Sequence, residues 1–169
     1  SGKTHNDVKM LRINGDRQFT EVPSGLGIFF PNLIALEWLD GNLTSISNKN
    51  LMEFPNLIAV SFEANKLTTI DGDLFKHTPN LVWFALSQNQ ITNVGVGLLS
   101  GLDIVEAYFF MNVCIDMNAF TLSELRELEE QLLIRCPPLT TTTLPSTTVS
   151  TTSSSTSRPT FECPAECSR

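Results

Sequence analysis

A chain of 169 residues, 41% of them apolar, has room for one ordinary domain and an appendage. The net charge of −7 speaks against nucleic acid, whose capture depends on Lys and Arg neutralising phosphates. No apolar run approaches the roughly eighteen residues that cross a bilayer, so a soluble protein without a membrane span is expected. Ser1 is neither an initiator Met nor the start of a charged-then-apolar signal segment, and the chain reads as processed or truncated.

In chain order, the first element is a frayed unit, Val8, Leu11 and Ile13 with Asp16. Three clear units follow, opening on PNLIALEWLDGNL at 31, PNLIAVSFEANKL at 55 and PNLVWFALSQNQI at 79. Aligned on their leading apolar residues they give Leu33, Leu36, Trp38, Gly41, Leu43; Leu57, Val60, Phe62, Asn65, Leu67; and Leu81, Phe84, Leu86, Asn89, Ile91. A fifth, looser unit holds Ile104, Ala107, Phe109, Asn112 and Cys114. A fixed period in the low twenties marks a solenoid, because a unit that short cannot bury its apolar face except against copies of itself.

The spacing LxxLxLxxNxL assigns a task to each slot. Apolar residues two apart point to one side of a strand. The Asn turns the chain, and its amide can bond backbone groups of the neighbouring coil. Gly41 breaks that pattern in the second unit, with Asn42 beside it as a substitute. Ile46, Leu51 and Phe54, then Ile70, Leu74 and Phe75, then Val94, Leu98, Leu99 and Leu102, supply an apolar return path of short helical turns or irregular coil.

After the last unit, Thr121 and Glu124 form a capping-box signal. Leu122, Leu125, Leu128, Leu132 and Leu133 fall on one broad face of the helix predicted next, which would cover the open end of the core. At the other end no cap is visible. Either a capping segment has been removed or the row of Val8, Leu11 and Ile13 shields itself imperfectly. From 139 to 160, 16 of 22 residues are Thr or Ser, too little apolar surface to offset the entropy of ordering. Residues 137–160 are therefore expected to be a disordered, glycosylatable stalk, and 161–169, FECPAECSR, a Cys-bearing tail that is cut short.

These residues resemble an extracellular leucine-rich repeat protein, in particular insect secreted members with a Thr/Ser-rich C-terminal stalk. The likeness runs from about residue 8 to 136 and includes the family's C-terminal cap, in which a final Asn-x-Cys is followed by a helix and a second Cys: here Asn112, Cys114 and Cys136, with Val113 where Pro is usual. It implies an α/β solenoid, with short parallel strands on a concave face and a cap spanning 112–136. A bridge between Cys114 and Cys136 would pin the cap helix to the last strand, which places the protein in an oxidising, extracellular setting. Asn42-Leu43-Thr44 is the chain's single N-glycosylation sequon. Cys163 and Cys167 bridge either to another chain, giving a disulfide-linked dimer, or to each other.

No catalytic constellation stands out. His5 and His77 are isolated, GVGLLSG at 95 to 101 misses the dinucleotide fingerprint, and Asp71-Gly72-Asp73 is too short for a calcium loop. Neither metal nor cofactor is expected. What remains is a surface, since slots between the buried residues of the strands line the concave side of such a solenoid. Trp83, Glu106, Tyr108, Phe110 and Met111 are the candidate ligand-binding residues there, and Glu37, Asp40 and Glu63 give the earlier units an acidic cast. The competing assignment is that Phe110 and Met111 tuck under the cap. The expectation is a secreted module that recognises a protein or a glycoconjugate, with a defence role implied by resemblance alone. The alternative is a structural or adhesive matrix protein that self-associates through its stalk.

Overall fold

The computed structural model describes residue 2 and residues 4–139. The expected stalk from 140 onward and Cys163 and Cys167 lie outside the described residues. Five parallel strands stack in register: β1 (Met10–Asn14), β2 (Ala35–Leu39), β3 (Ala59–Ser61), then β5 (Trp83–Ala85) and β7 (Glu106–Tyr108). On the return path lie the short helices α1 (Leu26–Phe29) and α2 (Asn48–Leu51) and a second, two-stranded parallel pair, β4 (Thr69–Ile70) with β6 (Asn93–Val94). β8 (Asn118–Ala119) turns back antiparallel onto β7 and leads into the cap helix α3 (Leu122–Arg135).

The alternation of each unit explains the core. Leu36, Val60, Phe84 and Ala107 form one buried row and Trp38, Phe62, Leu86 and Phe109 the next, closed from behind by Ile46, Leu51, Phe54, Ile70, Leu74 and Phe75. The amide ladder is present as expected. Asn89 donates through Nδ2 to Leu86 O in its own unit (3.0 Å) and Phe62 O in the preceding one (2.9 Å), and its Oδ1 accepts from Leu67 N (3.0 Å). Asn65 and Asn112 repeat the arrangement. These bonds replace water for backbone groups buried between coils.

Gly41 marks where that ladder stops. A Cβ there would lie 2.6 Å from Asn65 Oδ1 and 3.1 Å from Trp38 Cδ1, so the slot belongs to its neighbours. Asn42 does not enter it, because its amide reaches Arg17 O at the surface, 3.4 Å away. The Trp38 indole N–H, 1% exposed as a residue, has no hydrogen-bond partner among the described residues. On the return path Gly72 and Gly95 let two coils touch: a Cβ on Gly72 would stand 2.0 Å from Val96 O and one on Gly95 2.2 Å from Gly72 N. Gly95 of GVGLLSG and Gly72 of Asp71-Gly72-Asp73 thus serve coil stacking, whereas Gly97 and Gly101 take left-handed backbone, with φ of 89° and 75°.

A left-handed residue ends the strand segment of each unit: Gly15, Asp40, Ala64, Gln88 and Met111, with φ of 74°, 50°, 55°, 55° and 56°. For a side-chain-bearing residue this conformation costs on the order of 1 kcal/mol, which the repeated stacking imposes at the same point of each coil.

The cap agrees with the expected helix but not with its full apolar face. Leu125, Leu128 and Leu132 are buried, whereas Leu122 and Leu133 are 74% and 52% exposed. At 100° per residue those two sit roughly 60° to 80° round the helix from Leu125, past the edge of the core. Leu133 lines a cleft between α3 and residues 94–100, and Leu122 a second one beside Leu99, Leu102 and Ile104. Glu124 N donates to Thr121 Oγ1 (3.3 Å), and the Glu124 carboxylate accepts from Phe120 N (2.8 Å), one residue earlier than a strict capping box. Cys114 and Cys136 are bonded. The chain leaving α3 is tied to the solenoid by Val94 N to Cys136 O (2.9 Å) and by Asn93 Nδ2 to Pro137 O (2.7 Å). At the N-terminal end Val8, Leu11 and Ile13 are partly buried beside the core, behind a single turn at His5–Asp7.

Candidate functional site on the concave face

The strand residues that point away from the core form three columns. The first runs Met10, Ala35, Ala59, Trp83, Glu106 and the second Arg12, Glu37, Ser61, Ala85, Tyr108. The third, set by the strand ends and the turn bonds Ala64 N to Ser87 O and Gln88 N to Phe110 O, runs Asn14, Leu39, Glu63, Ser87, Phe110. Small residues in the middle units, Ala59, Ser61 and Ala85, keep the face low there, and the large side chains rise at its C-terminal end.

Parallel pairing sets Trp83 opposite Glu106 and Ala85 opposite Tyr108, so an aromatic, a carboxylate and a phenol converge from two strands. Trp83 Nε1 donates to Glu106 Oε2 (3.1 Å), and the Tyr108 hydroxyl donates to the same oxygen (2.7 Å). The Trp83 and Tyr108 rings lie 5.5 Å apart at 50°, and Phe120 meets the Tyr108 ring edge-on at 5.3 Å. Bonding to the Glu106 carboxylate raises the Tyr108 pKa above its usual value. All three site residues are half-buried, held in place yet accessible.

Of the other expected binding residues, Phe110 closes the third column, half-buried, and Met111 follows it at the turn. It is the left-handed turn residue, 61% exposed, because Phe110 is the last outward position before the coil bends. The alternative placement of Met111 under the cap fails for the same reason. Glu37 is paired with Arg12 across β1 and β2. Glu63 has its pKa raised, chiefly by burial, with Glu37 and Asp40 adding repulsion and a bond from Ser61 Oγ working the other way. Asn42, the sequon residue, is half-buried. Among the described residues no group of three or more His, Cys, Asp or Glu could hold a metal ion.

Two features were missed in the sequence. Phe120, between β8 and α3, joins the aromatic group only because the cap folds back. Ile34, Ile58, Val82 and Val105 form a stripe beside the first column, linked by Ile58 N to Ile34 O, Val82 N to Ile58 O and Val105 N to Val82 O, at 2.8 to 3.0 Å. Ile34, Ile58 and Val105 are 38%, 42% and 56% exposed. Their signal was a β-branched residue at the second position of each unit, where the repeat needs nothing apolar.

No protein-family model and no curated protein matches the chain. Among solved structures, a chain in the crystal structure of the TLR13–ssRNA13 complex is similar at a TM-score of 0.57 with 18% sequence identity. The similarity covers 68% of this chain and 16% of that one. With the repeated strands, the asparagine ladder and the C-terminal helix, this establishes the chain as an α/β leucine-rich repeat solenoid.

Proposed function

We propose that the protein is a secreted, non-enzymatic recognition module that binds a partner through the C-terminal half of its concave face. The observation that carries this is the Trp83, Glu106 and Tyr108 group: three large side chains, pre-ordered by mutual bonds and left half-exposed beside the low floor of Ala59, Ser61 and Ala85. Aromatic anchors held in one rotamer lose little entropy on contact and dominate binding patches. The solved neighbour is bound to ssRNA, but nucleic acid is a poor match here. The concave columns carry Glu37, Glu63 and Glu106 against Arg12 alone, and the whole chain is at −7. The Cys114–Cys136 bond supports an oxidising compartment. Asn42 is proposed as the glycan site, its half-buried amide meeting the described residues through the long bond to Arg17 O; enzymatic deglycosylation should shift the mobility of the secreted protein.

The test is affinity capture from extracellular fluid under non-reducing conditions with the wild-type chain and with Trp83→Ala and Tyr108→Ala variants. One saturable partner, lost with either variant while the far-UV signal is intact, is the expected result. Capture unaffected by both variants would move the site elsewhere. A second reading, self-association through the stalk, draws on the cysteines: with Cys114 and Cys136 bonded to each other, Cys163 and Cys167 are left to pair together or with another chain. A non-reducing gel that shows dimer, abolished by serine at both positions, would favour it.

A further inference from the structure

We infer that the Trp83–Glu106–Tyr108 cradle takes a cationic side chain, arginine in preference to lysine, from an extended segment of a protein partner. This rests on the concave-face reading above and adds the chemistry of what is recognised. The donors of the cradle are already used. Both Trp83 Nε1 and the Tyr108 hydroxyl give their hydrogens to Glu106 Oε2. What the cradle still offers is acceptor capacity on the carboxylate and the negative faces of two rings set 50° apart. A neutral sugar can donate hydroxyls to the carboxylate and stack on a ring, but it leaves the carboxylate's charge uncompensated. A guanidinium brings only donors and a flat cation that stacks on aromatic faces.

Charge on the surrounding face agrees. Arg12 is the one cation in the three columns and is occupied by Glu37, the only salt bridge among the described residues. Among the described residues Glu63 and Glu106 have no cationic partner, and the raised pKa of Tyr108 reflects its bond to the Glu106 carboxylate. The low floor at Ala59, Ser61 and Ala85 leaves an extended chain space to lie across the strands next to the cradle.

The test titrates the full 169-residue chain with three short peptides that carry arginine, lysine or citrulline at one position, and with a neutral oligosaccharide. Indole fluorescence is the readout, since Trp38 is buried and Trp83 is the ring a ligand can touch. The arginine peptide should quench in a saturable, salt-sensitive way and bind roughly tenfold more tightly than the citrulline peptide. Glu106→Gln, which keeps the shape, should abolish that preference, and Lys49→Ala should leave it unchanged. Equal binding of arginine and citrulline peptides, or a preference that survives Glu106→Gln, overturns the inference. Binding of the oligosaccharide alone, lost in Trp83→Ala, also overturns it while upholding the concave-face reading. A captured partner indifferent to Trp83 and Tyr108 would remove both.

Discussion

At its C-terminal end the solenoid is closed three times over: by antiparallel β8, by α3 with Leu125, Leu128 and Leu132 buried, and by the Cys114–Cys136 bond. At its N-terminal end, Leu11 and Ile13 have only the turn at His5–Asp7 and the flank of the first coil, and remain half-buried. The outer edge of β1 has no partner among the described residues, and Lys9, Arg12 and Asn14 supply the polar side chains that discourage edge-to-edge pairing. Within the described residues, one end of the stack is covered and the other presents polar side chains along its edge strand. At the covered end the returning chain also adds a side chain that the repeat does not contain. Phe120 on the Tyr108 ring is that addition.

This contrast can be broken at the core first. Leu128→Ala should cost about 3 kcal/mol, since it empties a fully buried position under the cap, whereas Leu11→Ala should cost about 1 kcal/mol. Denaturant melts of the two variants would decide it, and equal losses would mean that the two ends are equally well packed. Next, Cys114→Ser opens a loop of 22 residues and should lower stability by about 3 kcal/mol. It should also raise hydrogen exchange in α3 well before β1 to β3 change. Uniform exchange would show that the cap and the stack unfold as one.

Smaller effects sharpen the picture. Thr121→Ala removes the side-chain acceptor at the start of α3 and should cost about 1 kcal/mol. At 5.3 Å from Tyr108, Phe120 should lose its fixed position, visible as a narrowing of ring-current shifts in that region. The smallest change concerns Glu63. Burial raises its folded pKa above 4.5, so ionisation opposes folding. The penalty is absent below the unfolded pKa and develops as pH climbs through the folded value. Glu63→Gln should therefore raise Tm slightly at pH 7 and not at all near pH 3. A variant that is less stable than wild type at pH 7 would instead show that the ionised form is needed.

The repeat was legible because it is local. The alternation of Leu57, Val60 and Phe62, and the placement of Asn65, dictate a strand and a turn within one unit, and three copies dictate their stacking. The cap helix was legible from Thr121 and its leucines, but its outer leucines were assigned wrongly. Which part of an apolar face is covered depends on where the stack ends, and periodicity alone carries no such boundary. The same holds at Gly41, where space is taken by Trp38 and Asn65 from other positions.

By itself, the sequence determined the solenoid, its order of units, the inward rows and the convergence of Trp83, Glu106 and Tyr108 on neighbouring strands, because matching LxxLxLxxN units pair slot by slot although their spacing runs from 25 residues to 23. Tertiary structure alone decided that one carboxylate oxygen takes both ring donors, that Phe120 joins from the cap, and that Met111 sits in a left-handed turn. Each of these depends on distances between residues far apart in the chain, or on a backbone dihedral set by the neighbouring coil, and neither quantity is encoded in the local pattern of apolar and polar side chains.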